Sequence, residues 1–173
     1  KQLRRAFGSW TQVADAEPER IVEAIRISGL SNIKAPRIRA ILRQLRADRG
    51  RVSLAFLRYK APDEARRYLL AFDGVGPKTA SCVLLFAFNM AVFPVDTHIV
   101  RIAIRMGWMP EGTSAGRCEE LLTPAIAPDN RYEMHLLLIE HGRRTCKARN
   151  PRCTWCDLLD ACPAGRRRVG PEC

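Results

Sequence analysis

The sequence predicts an all-α protein. Apolar residues recur at helical spacing along almost the whole length, no pair of alternating apolar and polar segments suggests a β-hairpin, and no internal repeat is visible. The 173 residues are enough for one domain or two small lobes, and 47% of them are hydrophobic, so a real core is possible. We expect one helical lobe over residues 1–90 and a second over residues 91–173, with a cleft between them.

The helices of the first lobe are predicted from apolar spacing and from the prolines and glycines at their ends. One helix is expected over 3–14, a second from Pro18 to Gly29, a third from Pro36 to Gly50, and a fourth over 63–72. Residues 51–60 could be extended or helical. The fourth helix ends at Asp73-Gly74-Val75-Gly76, which is a glycine-containing turn.

The second half of the chain begins with a segment that is apolar nearly all round, Lys78–Phe88. A helix with this profile is typical of the middle of a bundle. A short extended connection at 93–95 leads to Asp96, which is well suited to be the N-cap of a helix over 97–106. Two further helices are predicted, over 114–126 and 131–142. They are followed by a cysteine-containing loop over residues 146–162, called the cysteine loop below, and by a basic tail over 166–168.

The charge of the chain favours a polyanionic partner. The formal net charge is +11 and the pI is about 9.9, and nucleic acid is the usual partner of such a protein, although ribosome-associated and membrane-surface proteins share this composition. No apolar run is long enough for a transmembrane helix, and nothing at the start resembles a secretory signal. We expect no membrane association, a monomer, and a cytoplasmic location near the nucleoid if the source is prokaryotic.

The turn Gly74-Val75-Gly76 between two helices has a specific physical use. Glycines permit positive φ and leave no side chain between the backbone and a ligand, while the unpaired N–H groups of the following helix favour a phosphate. Such a hairpin binds a nucleic-acid backbone without reading its sequence. An ordinary tight turn between packed helices is the alternative. Lys78, in the first turn of an apolar helix, lies at the unfavourable positive end of the helix dipole, so either solvent exposure or a catalytic role is expected.

Four of the seven cysteines form a cluster near the end of the chain. They are Cys146, Cys153, Cys156 and Cys162, spaced C-x6-C-x2-C-x5-C. Four thiolates suit either a tetrahedral zinc ion or an iron–sulfur cluster, and this chemistry alone does not choose between them. Two disulfides are a poor alternative in an intracellular protein. Cys82 is most simply a small core residue, and Cys118 and Cys173 receive no assignment.

Three segments carry a resemblance to a known family. Gly74–Ala80, Val95–Ile99 and His141–Arg143 resemble segments of the endonuclease III family, a branch of the helix-hairpin-helix DNA glycosylases. The resemblance covers nearly the whole chain. The cysteine spacing also matches the family's [4Fe–4S] loop in every interval, so the resemblance implies a [4Fe–4S] cluster with these four cysteines as its ligands.

The resemblance assigns roles to individual residues. The lysine that corresponds to Lys78 attacks the sugar C1′ of a damaged nucleotide, and the aspartate that corresponds to Asp96 assists. An amine suits this task because its Schiff base with the sugar acidifies C2′ for β-elimination. We expect burial to keep the lysine neutral. The implied DNA contacts are Gly74, Val75 and Gly76 in the hairpin and Lys147, Arg149 and Arg152 in the cysteine loop. The three histidines, His98, His135 and His141, are expected to be structural.

The resemblance implies a base-excision repair enzyme that removes damaged bases, chiefly oxidised pyrimidines, from double-stranded DNA and then cleaves the abasic site. A mismatch-specific thymine or uracil glycosylase and a catalytically silent DNA-binding module are the alternatives. The adenine-removing branch of the superfamily is disfavoured. Its members typically lack the lysine and carry an extra C-terminal domain, and neither description fits this sequence. The sequence departs from the family pattern at two places. Asp73 stands where proline is common in the family. Family members also have two helices before the position of Lys1, with a glutamine that fills the gap left by the extruded base, and these helices are not in the sequence.

Overall fold

The structure, a computed structural model, describes residues 2–170, which form α-helices joined by turns and short 3-10 segments, with no β-strand among them. The predicted all-α fold class is confirmed. In chain order the helices are α1 (Gln2–Phe7), α2 (Trp10–Asp15), α3 (Pro18–Ala24), α4 (Ser31–Arg49), α5 (Pro62–Leu70), α6 (Pro77–Phe88), α7 (Thr97–Arg105), α8 (Ala115–Ala125), α9 (Arg131–Arg144) and α10 (Pro163–Val169). Within residues 2–170, none of these helices combines the length and the apolar character needed to cross a membrane.

The chain divides into two compact units, Lys1–Val75 and Gly76–Cys173. The division falls in the glycine turn, whereas the predicted boundary between the two lobes lies near residue 90. The difference lies in α6, which belongs to the second unit. The Ser81 hydroxyl donates a 2.6 Å hydrogen bond to Glu119 Oε1 of α8, and the Phe86 ring packs edge-on against His135 of α9.

The first unit departs from the predicted helix bounds at two places. The helix expected over 3–14 is broken into α1 and α2, because Gly8 adopts a left-handed φ of 70° and Ser9 then caps α2 in a reciprocal capping box with Gln12. The third helix begins at Ser31, and Pro36 lies inside α4 on its exposed side instead of opening the helix. A proline in the second turn removes one early hydrogen bond and leaves the rest of the 19-residue helix intact.

The core of the first unit joins α1, α2, α3 and α4. It contains Phe7, Val13, Ala16, Ile21, Ile25 and Ala35. Two polar contacts tie α4 to the end of α2: Arg43 Nε donates to the carbonyl of Ala14 at 2.9 Å, and Arg46 pairs with Asp15 at 2.8 Å. Residues 55–59, which the sequence left ambiguous, form a 3-10 turn.

The core of the second unit lies between α7, α8 and α9. It contains Phe93, Val95, Ile99, Ile102, Ala103, Met109, Cys118, Leu122 and Leu138. Cys118 is therefore a core residue, whereas Cys82, expected in the core, is only partly buried. Helices α7 and α9 lie close together at Gly142, where an added Cβ would lie 2.7 Å from the Cβ of His98. A side chain at Gly142 would therefore force the two helices apart.

The connection between α6 and α7 is held by buried polar side chains of α9. Phe93, Pro94 and Val95 are buried, and His135 Nδ1 lies 2.9 Å from the carbonyl oxygen of Pro94. The buried Arg131 guanidinium donates to the carbonyls of Ile126 and Ala91. These bonds satisfy backbone groups that no helix pairs, so the start of α7 has a fixed position within the second unit.

We expect Gly142→Ala to lower the free energy of unfolding by about 1–3 kcal/mol, because the new methyl group overlaps the side chain of His98. Gly116→Ala is the matched control, since it also lies in a helix of the second unit but has no heavy atom within 4 Å of the added Cβ. That control should gain about 0.4–1 kcal/mol through helix propensity and chain entropy. Urea denaturation of both variants measures the difference, and equal effects of the same sign would contradict the packing argument.

Candidate functional site

The glycine hairpin follows the end of α5 and begins α6. Gly74 has a left-handed φ of 76°, and an added Cβ would meet the side chain of Arg37 at 2.6 Å. Gly76 is the N-cap of α6, makes no side-chain cap bond, and has nothing within 4 Å of the position of an added Cβ. The first N–H groups of α6 therefore have no side-chain cap, which is the arrangement that favours an anion. Asp73 is exposed and does not cap α6.

Lys78 lies in the first turn of α6, and its side chain is exposed. The expectation that burial in an apolar helix dehydrates this amine is wrong, because only the later turns of α6 are covered. One turn after Lys78, the fully buried Ser81 is bonded to Glu119, which is 6% exposed. This buried pair fixes the first turns of α6 against α8 and so sets the position from which Lys78 projects.

Asp96 is the N-cap of α7, as the sequence predicts. Its Oδ1 atom accepts both cap bonds, from the backbone N–H groups of His98 at 2.9 Å and Ile99 at 3.0 Å. Oδ2 takes no part in either bond, and the residue is half-buried. A carboxylate held in this way has a fixed orientation and still has one oxygen available to a ligand.

The charges of Lys78 and Asp96 both act on the His135 imidazole. Burial lowers the pKa of His135, the hydrogen bond to the Pro94 carbonyl raises it, the charge of Asp96 also raises it, and the charge of Lys78 lowers it. Charge effects of this kind fall off with distance, so both side chains lie within electrostatic reach of one imidazole that is 4% exposed. Because a carbonyl oxygen only accepts, Nδ1 carries the proton of the neutral ring.

The sequence analysis assigned His135 a structural role, and its packing agrees with that role. Its ring contacts Phe86 and Phe93 edge-on, at centroid distances of 5.4 and 6.2 Å. The effect of the charges of Lys78 and Asp96 on its ring was missed, because these residues are 57 and 39 positions away in sequence. Glu119 was also missed. Ser81, a polar residue within an apolar helix, was the available signal, since a buried hydroxyl needs a partner.

The four clustered cysteines line one cavity. Cys146, Cys153, Cys156 and Cys162 all lie around it, together with Ile102, Leu159 and His141. Burial raises the pKa of the Cys156 thiol, the N–H of Leu158 lowers it, and the three other cysteines raise it further. The thiols of the other three cysteines therefore act on that of Cys156 across one cavity.

Arg101 and Arg105 of α7 hold the cysteine loop. Arg101 donates to the carbonyl of Cys146 through Nη2 at 2.7 Å and to that of Gly142 at 2.9 Å. Arg105 Nη1 donates to Cys146 Sγ at 3.2 Å and to the Lys147 carbonyl at 2.7 Å. Neither arginine was predicted from the sequence. In a chain with many arginines, an amphipathic pattern does not distinguish a guanidinium that is hydrogen-bonded to the protein from one that is solvated.

The donors around the cavity suit a cluster of thiolates. The Arg105 guanidinium and the N–H of Gly165 point to the sulfurs of Cys146 and Cys162, at 3.2 and 3.3 Å, and hydrogen bonds of this kind stabilise anionic sulfur. Among residues 2–170, no three His, Cys, Asp or Glu side chains converge closely enough to hold a single metal ion.

The cysteine loop also carries the predicted basic contacts. Arg149 and Arg152 are exposed and Lys147 is half-buried. The backbone of the loop is closed by bonds from the N–H groups of Arg152 and Lys147 to the Thr145 carbonyl, at 3.0 and 2.9 Å. These cations are therefore presented on a loop with a defined conformation.

Comparison with known proteins identifies the family. The profile described as "HhH-GPD superfamily base excision DNA repair protein" matches residues 1–128, which is most of the chain. The chain belongs to this superfamily. Endonuclease III of Thermotoga maritima is 35% identical over 168 residues, which are 97% of this chain and 74% of that protein. The resemblance to the endonuclease III branch of the HhH-GPD superfamily is thereby confirmed.

The solved structures agree with this assignment. A non-covalent endonuclease III–DNA complex matches with a TM-score of 0.81 and 29% identity, over 96% of this chain and 74% of that one. The Arabidopsis thaliana protein At3g47830, whose name describes it as a DNA glycosylase, is 39% identical to this chain over 141 residues. The HhH-GPD chain spans 48% of the length of that relative.

We expect the folded protein to lose stability as the pH falls below about 6.5, the ordinary pKa of histidine, because the unfolded chain then binds a proton that native His135 resists. The variant His135→Asn keeps a donor for the Pro94 carbonyl but cannot titrate. Its free energy of unfolding should fall less steeply over this pH range, measured by urea denaturation at a series of pH values. Identical pH slopes for the variant and the wild type would show that His135 is not held neutral.

Proposed function

We propose that this HhH-GPD protein is a base-excision repair DNA glycosylase with an associated abasic-site lyase activity. Its proposed substrate is duplex DNA with a damaged base, chiefly an oxidised pyrimidine. The observation that carries the proposal is the half-buried Asp96 carboxylate, oriented by two backbone N–H groups, in the same compact unit as the exposed Lys78 amine. An exposed amine and an oriented carboxylate are the two groups that this reaction requires.

The proposed nucleophile is Lys78 Nζ. Its lone pair forms a bond to C1′ of the damaged nucleotide, and the base leaves with the electrons of the glycosidic bond and takes up a proton. Ring opening of the sugar gives a protonated Schiff base. Loss of a C2′ proton then expels the 3′ phosphate by β-elimination, and water releases the lysine.

The proposed role of Asp96 is electrostatic. Its Oδ1 atom is occupied by the two backbone N–H groups of α7, so Oδ2 is the oxygen that faces a ligand. A carboxylate in that position stabilises the positive charge that develops at C1′ as the base leaves, and it can accept the proton that the attacking amine releases. His135 is bonded to the Pro94 carbonyl, so its proposed contribution is to position the connection that precedes Asp96.

The exposure of Lys78 assigns a second role to the bound DNA. Water solvates this exposed amine in the free protein, and a hydrated amine is a poor nucleophile. Docking of a flipped nucleotide on α6 would displace that water, so the substrate itself supplies the dehydration that the helix does not. Chemistry at Lys78 would then depend on correct binding.

Two parts of the chain are proposed to hold DNA. The open, uncapped start of α6 at Gly76 would accept a backbone phosphate, with Gly74 and Val75 shaping the turn before it. Further DNA phosphates would be bound by the basic side chains of the cysteine loop, Lys147, Arg149 and Arg152. Asp73 would oppose the hairpin contact, because it is exposed, places negative charge beside the turn and does not cap α6.

The cysteine cavity is proposed to hold a [4Fe–4S] cluster with Cys146, Cys153, Cys156 and Cys162 as its ligands. The support is the arrangement of four thiols around one cavity, with a guanidinium and a backbone N–H directed at two of them. The cluster would pin the loop that carries the basic residues. The proposed role of the cluster is structural, because the cysteine loop and Asp96 lie at opposite ends of α7. The loop bonds to the C-terminal half of α7, whereas Asp96 precedes the first residue of this helix.

We expect wild-type protein incubated with abasic-site DNA and borohydride to form a covalent adduct, and Lys78→Gln to form none, because an amide cannot make a Schiff base. Lys60→Gln is the matched control, since Lys60 is also an exposed lysine and pairs only with Glu64 in the described residues. The adduct is measured as a shifted band on a denaturing gel.

The variant Asp96→Asn separates the two steps, because asparagine can keep the cap while the charge is lost. Release of a damaged base should fall about 10²–10⁴-fold, whereas trapping on a preformed abasic site should persist. An adduct that survives in Lys78→Gln would assign the nucleophile to another residue. Absence of any adduct from folded wild type would favour a catalytically silent DNA-binding module.

We expect the purified chain to contain about four iron and four sulfide per molecule. The variant Cys156→Ser should lose most of both, together with the brown colour, because one of four ligands is missing. Cys82→Ser is the control, since Cys82 lies on α6 and outside the cavity lining, and it should keep the full content. One zinc ion per chain without sulfide would contradict the cluster.

A further inference from the structure

The cysteine loop exposes an aromatic side chain that none of the roles above uses. Trp155 is 85% exposed, whereas Trp10 and Trp108 are 41% and 45% exposed. Tryptophan is a residue that normally buries most of its ring, and its large rigid surface makes it a common anchor at binding interfaces. An indole that stands almost entirely in water on a functional loop therefore calls for a ligand.

The backbone beneath Trp155 is held on both sides. The residue ends the 3-10 turn Cys153–Trp155, its N–H donates to the Arg152 carbonyl at 3.2 Å, and the N–H of Cys156 donates to the Cys153 carbonyl at 3.1 Å. Cys153 and Cys156 both line the cysteine cavity. The ring is thus presented by an ordered turn, so a ligand that covers it orders only two side-chain torsions.

The surroundings of Trp155 are basic. Arg152 and Trp155 line one shared depression of the surface, and Arg149 and Lys147 precede them in the same loop. Asp157 follows, so the loop is not uniformly positive, but its cations outnumber this carboxylate by three to one over residues 147–157. Cations beside a protruding aromatic ring match nucleic acid, in which phosphates alternate with sugar and base surfaces.

We propose that Trp155 is a non-electrostatic DNA contact of this protein, in which the indole packs against the deoxyribose and base surface of the strand whose phosphates Arg152 and its neighbours bind. The contact would tolerate any sequence, because every nucleotide offers such a surface. This inference rests on the proposed function, and it adds an apolar anchor to a loop for which only charged contacts were expected.

The test compares Trp155→Ala with Trp155→Phe and Arg152→Ala in the full chain. We expect Trp155→Ala to weaken binding of a fluorescent duplex that carries an abasic-site analogue by about 5–150-fold, the equivalent of one stacked base, and Trp155→Phe to retain most of the affinity. The slope of affinity against salt should be unchanged in Trp155→Ala, because no phosphate contact is lost. In Arg152→Ala the slope should fall by about one.

A second readout observes the ring directly. In a Trp10→Phe, Trp108→Phe background, Trp155 is the sole tryptophan of the chain, and its emission should be quenched by the duplex. Wild-type affinity in Trp155→Ala together with unchanged emission would overturn the inference. So would an indole that is silent toward DNA and shifts its emission on vesicles of anionic lipid. Iron content and denaturation midpoint check that each variant is folded.

The two proposals fail in different ways. A wild-type chain that binds the duplex and forms the borohydride adduct, with Trp155 silent, would contradict only the aromatic contact. A folded wild-type chain that does not bind the duplex at all would contradict the proposed function and the inference that rests on it.

Discussion

The hydrogen bonds from Arg101 and Arg105 to the cysteine loop organise the second unit. Each guanidinium is partly buried and bonds to backbone carbonyls of residues 142–148, and Arg105 also reaches a cysteine sulfur. Hydrogen bonds from a charged donor are roughly twice as strong as neutral ones. They join a loop with little regular structure to a helix that lies in the core, so the positions of the four thiols depend on α7.

The same helix carries the carboxylate of the site at its other end. Asp96 caps α7, the Phe93–Val95 connection before it is buried, and α9 supports that connection through His135 and Arg131. Helix α6 joins this frame through Ser81 and Glu119. The amine and the carboxylate are therefore both positioned by buried polar bonds, Lys78 through α6 and Asp96 through α7, and correct placement of either depends on contacts that are distant in sequence.

The sequence predicted those parts of this protein that depend on local pattern. Helical spacing gave the all-α fold and most bounds in the second half, and Asp96 was recognisable as an N-cap because capping needs only neighbouring residues. The break at Gly8 was missed because apolar spacing continues through it, and α4 was placed late because proline more often opens a helix than lies within one. Glu119, Arg101, Arg105 and the location of His135 could not be predicted, since each acquires its role from partners on other helices. The lysine and the cysteines were found through motif spacing and family resemblance.

The length of α7 has a consequence for how this site can change over evolution. The helix has nine residues, so about 13 Å separates its two ends. The carboxylate occupies one end, and the supports of the cysteine loop lie along the second half and the other end. A rigid rod of this size transmits position but little local chemistry. Under the proposed function, substitutions in the loop would change the affinity for DNA while Lys78 and Asp96 stay unaltered, and substitutions near Lys78 and Asp96 would leave the loop unaltered. Affinity and lesion preference would then be separable traits.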